Sequence, residues 1–232
     1  MSEAVRNLDQ NSVLDDVRRA LGRTATWPPK PLEGFIEPTI KADALELITR
    51  FTEEATAVRA QVHRVSDKLQ FVDKLAEICA ADRGHEIALS KTELFAEIDL
   101  GSELIARGFS ISPELDALDH DSLIGRLANC GAGVTAVGYA IAETGTIVLS
   151  SDEPNALLVS LLPPVHIALL RSPQIMASLD EVISRLSKER INLAGPSRSI
   201  TLITGPSRTS DVELVLSIGV HGPKELHVII LD

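Results

Sequence analysis

The sequence predicts an α/β domain built on a largely parallel sheet with helices on both faces. Three observations predict it. From about residue 40, short β-branched runs alternate with amphipathic helical stretches. The runs HIALL, SITLIT and ELHVIIL are largely apolar, β-rich and of the length expected for buried strands. A chain of 232 residues, 44% of them hydrophobic, is also long enough to bury a sizeable core.

The elements follow in order. NSVLDDVRRALGR places Leu14, Val17 and Leu21 on one helical face behind Asn11 or Ser12 as cap. TATWPPKPLEGFIEP then carries prolines at 28, 29, 31 and 38, which fix φ, remove donors and keep the segment extended. Residues 1–40 therefore read as an N-terminal helix on a proline-rich connector, and 41–232 as the α/β domain. The apolar stripe of that helix needs cover, from its own domain, from a partner or from a second copy in a homo-oligomer. ADALELITRFTEEATAV is an amphipathic helix, VHRV a short strand, DKLQFVDKLAEICAAD a helix and HEIALS a strand. Ser90 to Gly108 reads as a mostly helical connection, and SPELDAL and HDSLIGRLANC as helix starts. YAIAETGTIVLS, HIALL, SITLIT and ELHVIIL are strands, with ASLDEVISRLSKE and SDVELVLSIG as helices among them.

Composition excludes several functions. The net charge is −11, and the last third of the chain is neutral. An acidic chain with 3% aromatics and no basic stripe is no nucleic-acid binder. No apolar run is long enough to span a bilayer, and MSEAVRNLDQ has no signal-peptide pattern, so a cytoplasmic protein is expected. Cys79 and Cys130 stand alone without a CxxC, which leaves no cysteine-built cluster or zinc site; buried, inert thiols are expected. His166 and His221 are isolated and lack metal-ligand spacing, so no metal is expected.

Two segments carry candidate chemistry. GPSR occurs at Gly195–Arg198 and again at Gly205–Arg208, at opposite ends of the strand Ser199–Thr204. In an open parallel sheet ligands bind beyond the carboxyl ends of the strands, which favours the second copy. There Gly205, Pro206, Ser207, Arg208, Thr209 and Ser210 lead into the expected helix from Asp211, with Ser210 and Glu213 as a capping box and a small anion as ligand. The same residues are also ordinary turn and capping chemistry, and no GxxxxGK[ST] phosphate loop is present. The second segment is AETGT. Glu143 within an apolar run needs a partner or an open face; it reads either as an acid, base or hydrogen-bonding group or as the solvated tip of a hairpin. Thr144, Gly145 and Thr146 flank it.

AETGTIVLS, LLPPVHIALL, ITGPSRTSDVE and GVHGPKELHVIIL, in this order, resemble the LUD-domain family and within it the lactate utilization protein C group. The resemblance implies a three-layer α/β/α fold similar to the NagB/RpiA/CoA-transferase-like group. It also implies a part in oxidising L-lactate to pyruvate with iron–sulfur partner proteins, whose clusters belong to those partners and not to this chain. The matching signature residues are Glu143 to Gly145, Gly205 to Arg208, Asp211, Glu213 and His221 to Pro223. Glu143 is the tentative catalytic residue; the ligand-binding set is Thr144, Gly145, Thr146, Gly205 to Ser210 and His221. Relatives often carry an acid a few positions before AETG, where this sequence has Gly138. Two function classes remain open at this stage: a non-redox component that binds a small anion within a lactate-oxidising assembly, and a stand-alone transferase- or ligase-like enzyme acting on a small carboxylate, phosphate or acyl substrate.

Overall fold

The structure, a computed structural model, describes residues 15–17, 19–20, 22, 43–80, 86–112, 118–150, 155–191, 199–210, 216–219 and 221–232. By internal contacts the chain divides into two compact units, 1–36 and 37–232. In the first, Asp15–Val17 and Arg19–Ala20 are helical, Arg19 pairs with Asp16 at 3.1 Å, and Val17 is half exposed. Leu14, Leu21, the Asn11 and Ser12 caps and the proline-rich connector lie outside the described residues, as do PELDA at 113–117 and the first GPSR.

The second unit centres on a six-stranded sheet. Its order is β1 (Gln61–Val65), β12 (Glu225–Leu231), β7 (Val165–Arg171), β4 (Ala132–Ala136), β2 (Glu86–Leu89) and β3 (Ser110–Ile111). Every neighbouring pair is parallel. On one face Val134, Ile167, Leu169 and Ile229 meet Phe71 and Leu75 of α2 (Lys68–Ala80). The same cluster includes Phe95 of α3 (Glu93–Glu97) and Leu104 of α4 (Leu100–Ala106). On the other face Ala168, Leu170, Val228 and Ile230 pack with Ile48, Phe51 and Ala55 of α1 (Ala44–Ala57). Near β2, Ala88 meets Leu123 and Leu127 of α5 (His120–Asn129) and Val159 of α6 (Ala156–Leu161).

A second, mixed sheet lies beside α1 with the order β8 (Ile175–Met176), β5 (Tyr139–Ile141), β6 (Thr146–Ser150) and β9 (Ile200–Ile203). Ala140, Ile147 and Leu149 join the cluster around Phe51. On the far face Ile141, Val148 and Met176 meet Val182 of α7 (Leu179–Ile191).

Two expectations need correction. SITLIT is a strand, but it belongs to the mixed sheet and runs antiparallel to β6. SDVELVLSIG is expected as a helix, but its described residues are strand: β10 (Arg208–Ser210) pairs antiparallel with β11 (Leu216–Ile218), and 211–215 lie outside the described residues. The period-two alternation of Val212, Leu214, Leu216 and Ile218 carries that strand signal. Ser210, read as a helix cap, is therefore a strand residue. Strand β4 was missed because AGVTA is poor in β-formers; its small residues are required by packing. A Cβ on Gly133 would stand 2.0 Å from the Val159 carbonyl oxygen.

Candidate functional site

AETGT is the tip of a hairpin. Ala142–Gly145 form the turn between β5 and β6, which pair antiparallel from Ile141↔Thr146. The β6–β9 register of Ile147↔Ile203 then sets Thr146 beside Thr204. The hydroxyls of Thr144 and Thr146 lie 2.7 Å apart, and those of Thr146 and Thr204 lie 2.8 Å apart. Thr146 is buried at the centre of this ladder, while Thr144 and Thr204 are exposed.

The second GPSR continues from that ladder. Gly205 and Pro206 are buried. The Ser207 N–H donates to the Pro223 carbonyl at 2.9 Å, and Gly219 donates to the Ser207 carbonyl at 3.0 Å. A Cβ on Gly222 would stand 3.1 Å from the Ser207 Cβ. The three signature segments AETGT, GPSR and HGP thus meet at one junction.

The junction rests on the carboxyl end of α1. Gly145 has φ +60°, and a Cβ there would lie 2.1 Å from Ala55 N; Gly205 has φ +76°, and its Cβ would lie 2.3 Å from the Val58 carbonyl oxygen. Both glycines are needed twice, for a left-handed backbone and for close approach. Helix α1 closes on a Schellman-type turn: Arg59 sits at φ 72°, Arg59 N–H reaches Thr56 O and Ala60 N–H reaches Ala55 O.

These neighbours also fix the edge of the sheet. Val58 lies just before β1 and Pro223 just before β12, so the junction stands at the amino ends of these parallel strands. The expected placement at the carboxyl edge is corrected, because β9 is not part of the parallel sheet. Behind Arg208 the described residues run as strand β10 to Ser210, and Asp211, where the helix was expected to begin, lies outside the described residues. At the carboxyl side, an open cleft of about 460 Å³ is lined by Asp67, Lys68, Leu69, Val72 and Glu103. Lys68 there lies 3.9 Å from the Glu103 carboxylate.

Glu143 has a partner. Its Oε1 accepts from Leu179 N–H at 2.9 Å, at the start of α7, and its own N–H donates to the Ala177 carbonyl at 3.2 Å. It is half-buried and serves α7 as a terminal acceptor. Arg208 is exposed, and a terminal nitrogen of its guanidinium lies 3.4 Å from the point where a Gly205 Cβ would stand. That guanidinium forms no ion pair with a described residue. His221 is exposed beside Gly222. Thr209 and Ser210 lie in β10, opposite Ser217 and Leu216. The sequence reading omitted Thr204, whose signal is its place directly before Gly205, and the end of α1, for which no local signal exists.

Two histidine sites lie elsewhere. His166 is buried in β7 with Nε2 2.8 Å from the Thr135 hydroxyl, and its Nδ1 has no partner among the described residues. Burial alone lowers its pKa to about 3, so the ring is neutral. His63 and His227 stack with ring centroids 5.4 Å apart, and burial followed by the charge of His227 lowers the pKa of His63. Among the described residues no group of three or more His, Cys, Asp or Glu is placed to hold a metal ion.

Comparison with known proteins follows the same signature. The LUD domain matches residues 48–231. Lactate utilization protein C of Shouchella clausii is 27% identical over 97% of this chain and 98% of that protein. The protein of the same name from Bacillus licheniformis is 31% identical over 72% of this chain and 71% of its own length. The crystal structure of a DUF162 family protein from Deinococcus radiodurans superposes with a TM-score of 0.58 at 21% identity, covering 82% of this chain and 99% of that one. That likeness concerns the fold alone.

Proposed function

The chain belongs to the LUD-domain family, in its lactate utilization protein C group, and on that premise we propose that it is a non-redox component of an L-lactate utilization system. In this reading it works in the cytoplasm with iron–sulfur partner proteins that oxidise L-lactate to pyruvate, and it binds a small anion rather than a redox cofactor. The cysteine content supports this division of labour. A cluster is typically held by four thiolates, and the sequence has two cysteines, both buried. Kinship with the three-layer NagB/RpiA/CoA-transferase-like group is part of the same proposal; helices on both faces of the parallel sheet support it.

The observation that carries the anion reading is the junction of the three signature segments. Thr144 and Thr204 are exposed residues, and because Thr146 can donate only one of its two bonds, one of their hydroxyls keeps a proton that can be donated to a carboxylate; the Arg208 guanidinium over Gly205, which forms no ion pair with a described residue, can supply a bidentate clamp. Glu143 stands at the rim, holding α7, rather than acting on the ligand.

The test is calorimetric binding of lactate, pyruvate and phosphate to the full chain and to Arg208→Ala. Loss of a charge-assisted pair weakens binding by about 1.5–3 kcal/mol, roughly tenfold to more than a hundredfold. Unchanged affinity in Arg208→Ala rejects the clamp. Lactate oxidation is then measured with the iron–sulfur partners, with and without this chain. Lactate oxidation by the partners that is unchanged without this chain would instead favour the transferase- or ligase-like enzyme.

A further inference from the structure

We propose that the outer edge of β9 is a self-association surface, on which a second copy of this chain adds its own β9 antiparallel, joining two mixed sheets into one. Strand β9 ends the order β8-β5-β6-β9 and pairs, among the described residues, only with β6. An open strand edge presents unpaired N–H and C=O groups, and proteins protect such edges with charge, proline or bulges. From Ser199 to Thr204 this strand has none of the three: SITLIT carries no charge and no proline.

Backbone direction supports the same surface. The Val148 carbonyl accepts from Gly138 N–H at 3.1 Å, so Val148 turns its hydrogen-bonding groups toward β5. Leu202 is the cross-strand partner of Val148, so its own N–H and C=O turn away from β6. Ile200 and Thr204, two residues to either side, share that direction. Leu202 is also 49% exposed on the face where Val148 packs with Val182.

The occupant follows from charge and from sequence order. The whole net charge of −11 falls in residues 1–159, while 160–232 carry seven acids and seven bases. Two copies meeting through the acidic part would repel, whereas β9 meets its like without like-charge contact. Paired antiparallel about Leu202, the strand sets Leu202 against Leu202, Thr201 against Ile203 and Ile200 against Thr204, so that every pair beside the leucines is β-branched. A two-fold axis through Leu202 makes the contact closed, which stops assembly at a dimer.

Sedimentation of the full chain at micromolar concentration tests this. The expected mass is twice 25.0 kDa, falling to a single copy in Leu202→Lys and Leu202→Pro with the circular dichroism spectrum unchanged. The proline removes an outward N–H and leaves the β6 pairing intact. If it nevertheless unfolds the chain, Leu202→Lys decides alone, because that side chain is already half in water. Leu202→Cys should form an intermolecular disulfide on oxidation, since Cys79 and Cys130 are buried. A wild-type monomer, a dimer that persists in Leu202→Lys, or a dimer in which Leu202→Cys does not cross-link overturns the proposal.

Discussion

Glycines 145 and 205 are the residues on which the junction most depends. Each has a positive φ and each leaves no room for a Cβ against the backbone of α1. Gly145→Ala and Gly205→Ala should each cost about 2–4 kcal/mol, strain and overpacking together. Gly138→Ala, whose Cβ would meet nothing closer than the Val148 carbonyl at 3.6 Å, should cost under about 1 kcal/mol. Urea midpoints of the three variants check this; equal losses would refute the contact argument. His166 sets a pH dependence. Its folded pKa of about 3 lies below the ordinary 6.5, so the unfolded chain binds the proton first as pH falls. Stability is complete above about pH 6.5 and drops by on the order of 2 kcal/mol between pH 7 and pH 5. His63, also lowered, acts in the same sense. His166→Gln cannot titrate, so its stability should fall less over that interval when urea unfolding is repeated at each pH.

At the scale of elements, Glu143 tests whether the AETG motif is chemical or architectural. As an acceptor at the start of α7, it should tolerate Glu143→Gln in both stability and anion binding, whereas Glu143→Ala loses about 1 kcal/mol. Loss of binding in Glu143→Gln with stability intact would return the carboxylate to the ligand. The helices α1, α2 and α7 and the strands β1, β2, β7 and β12 were legible because each satisfies its own periodicity. Strand β4 was not, because Ala132 to Ala136 are small for the sake of α6 and not for strand propensity. The junction was half legible. AETGT and GPSR are neighbours through the antiparallel β6–β9 register, and no local pattern states which sheet a strand joins. The end of α1 was invisible, since nothing about Ala55 or Val58 announces that two glycines will rest on them.

For the whole molecule, the order of the large sheet sets how the chain must be assembled. Strand β12 is no edge: it lies between β1 and β7 and pairs with both. His63 and His227, stacked across that pairing, are 164 residues apart. On the ribosome β1 therefore emerges without a neighbour. At roughly 5–20 residues per second it waits on the order of ten seconds or more before its partner is made. Until then the nascent domain holds an open slot between β1 and β7, with Val65, Ile167 and Leu169 unsealed beside it. Removing residues 225–232 should leave that slot permanently open. Such a chain, arrested on the ribosome or released from it, should be cut by protease throughout the domain, while the full chain is resistant. Equal resistance of the two would mean that the sheet closes without its inner strand. Protection should thus arrive late and all at once, as β12 slides in between strands that have been waiting for it.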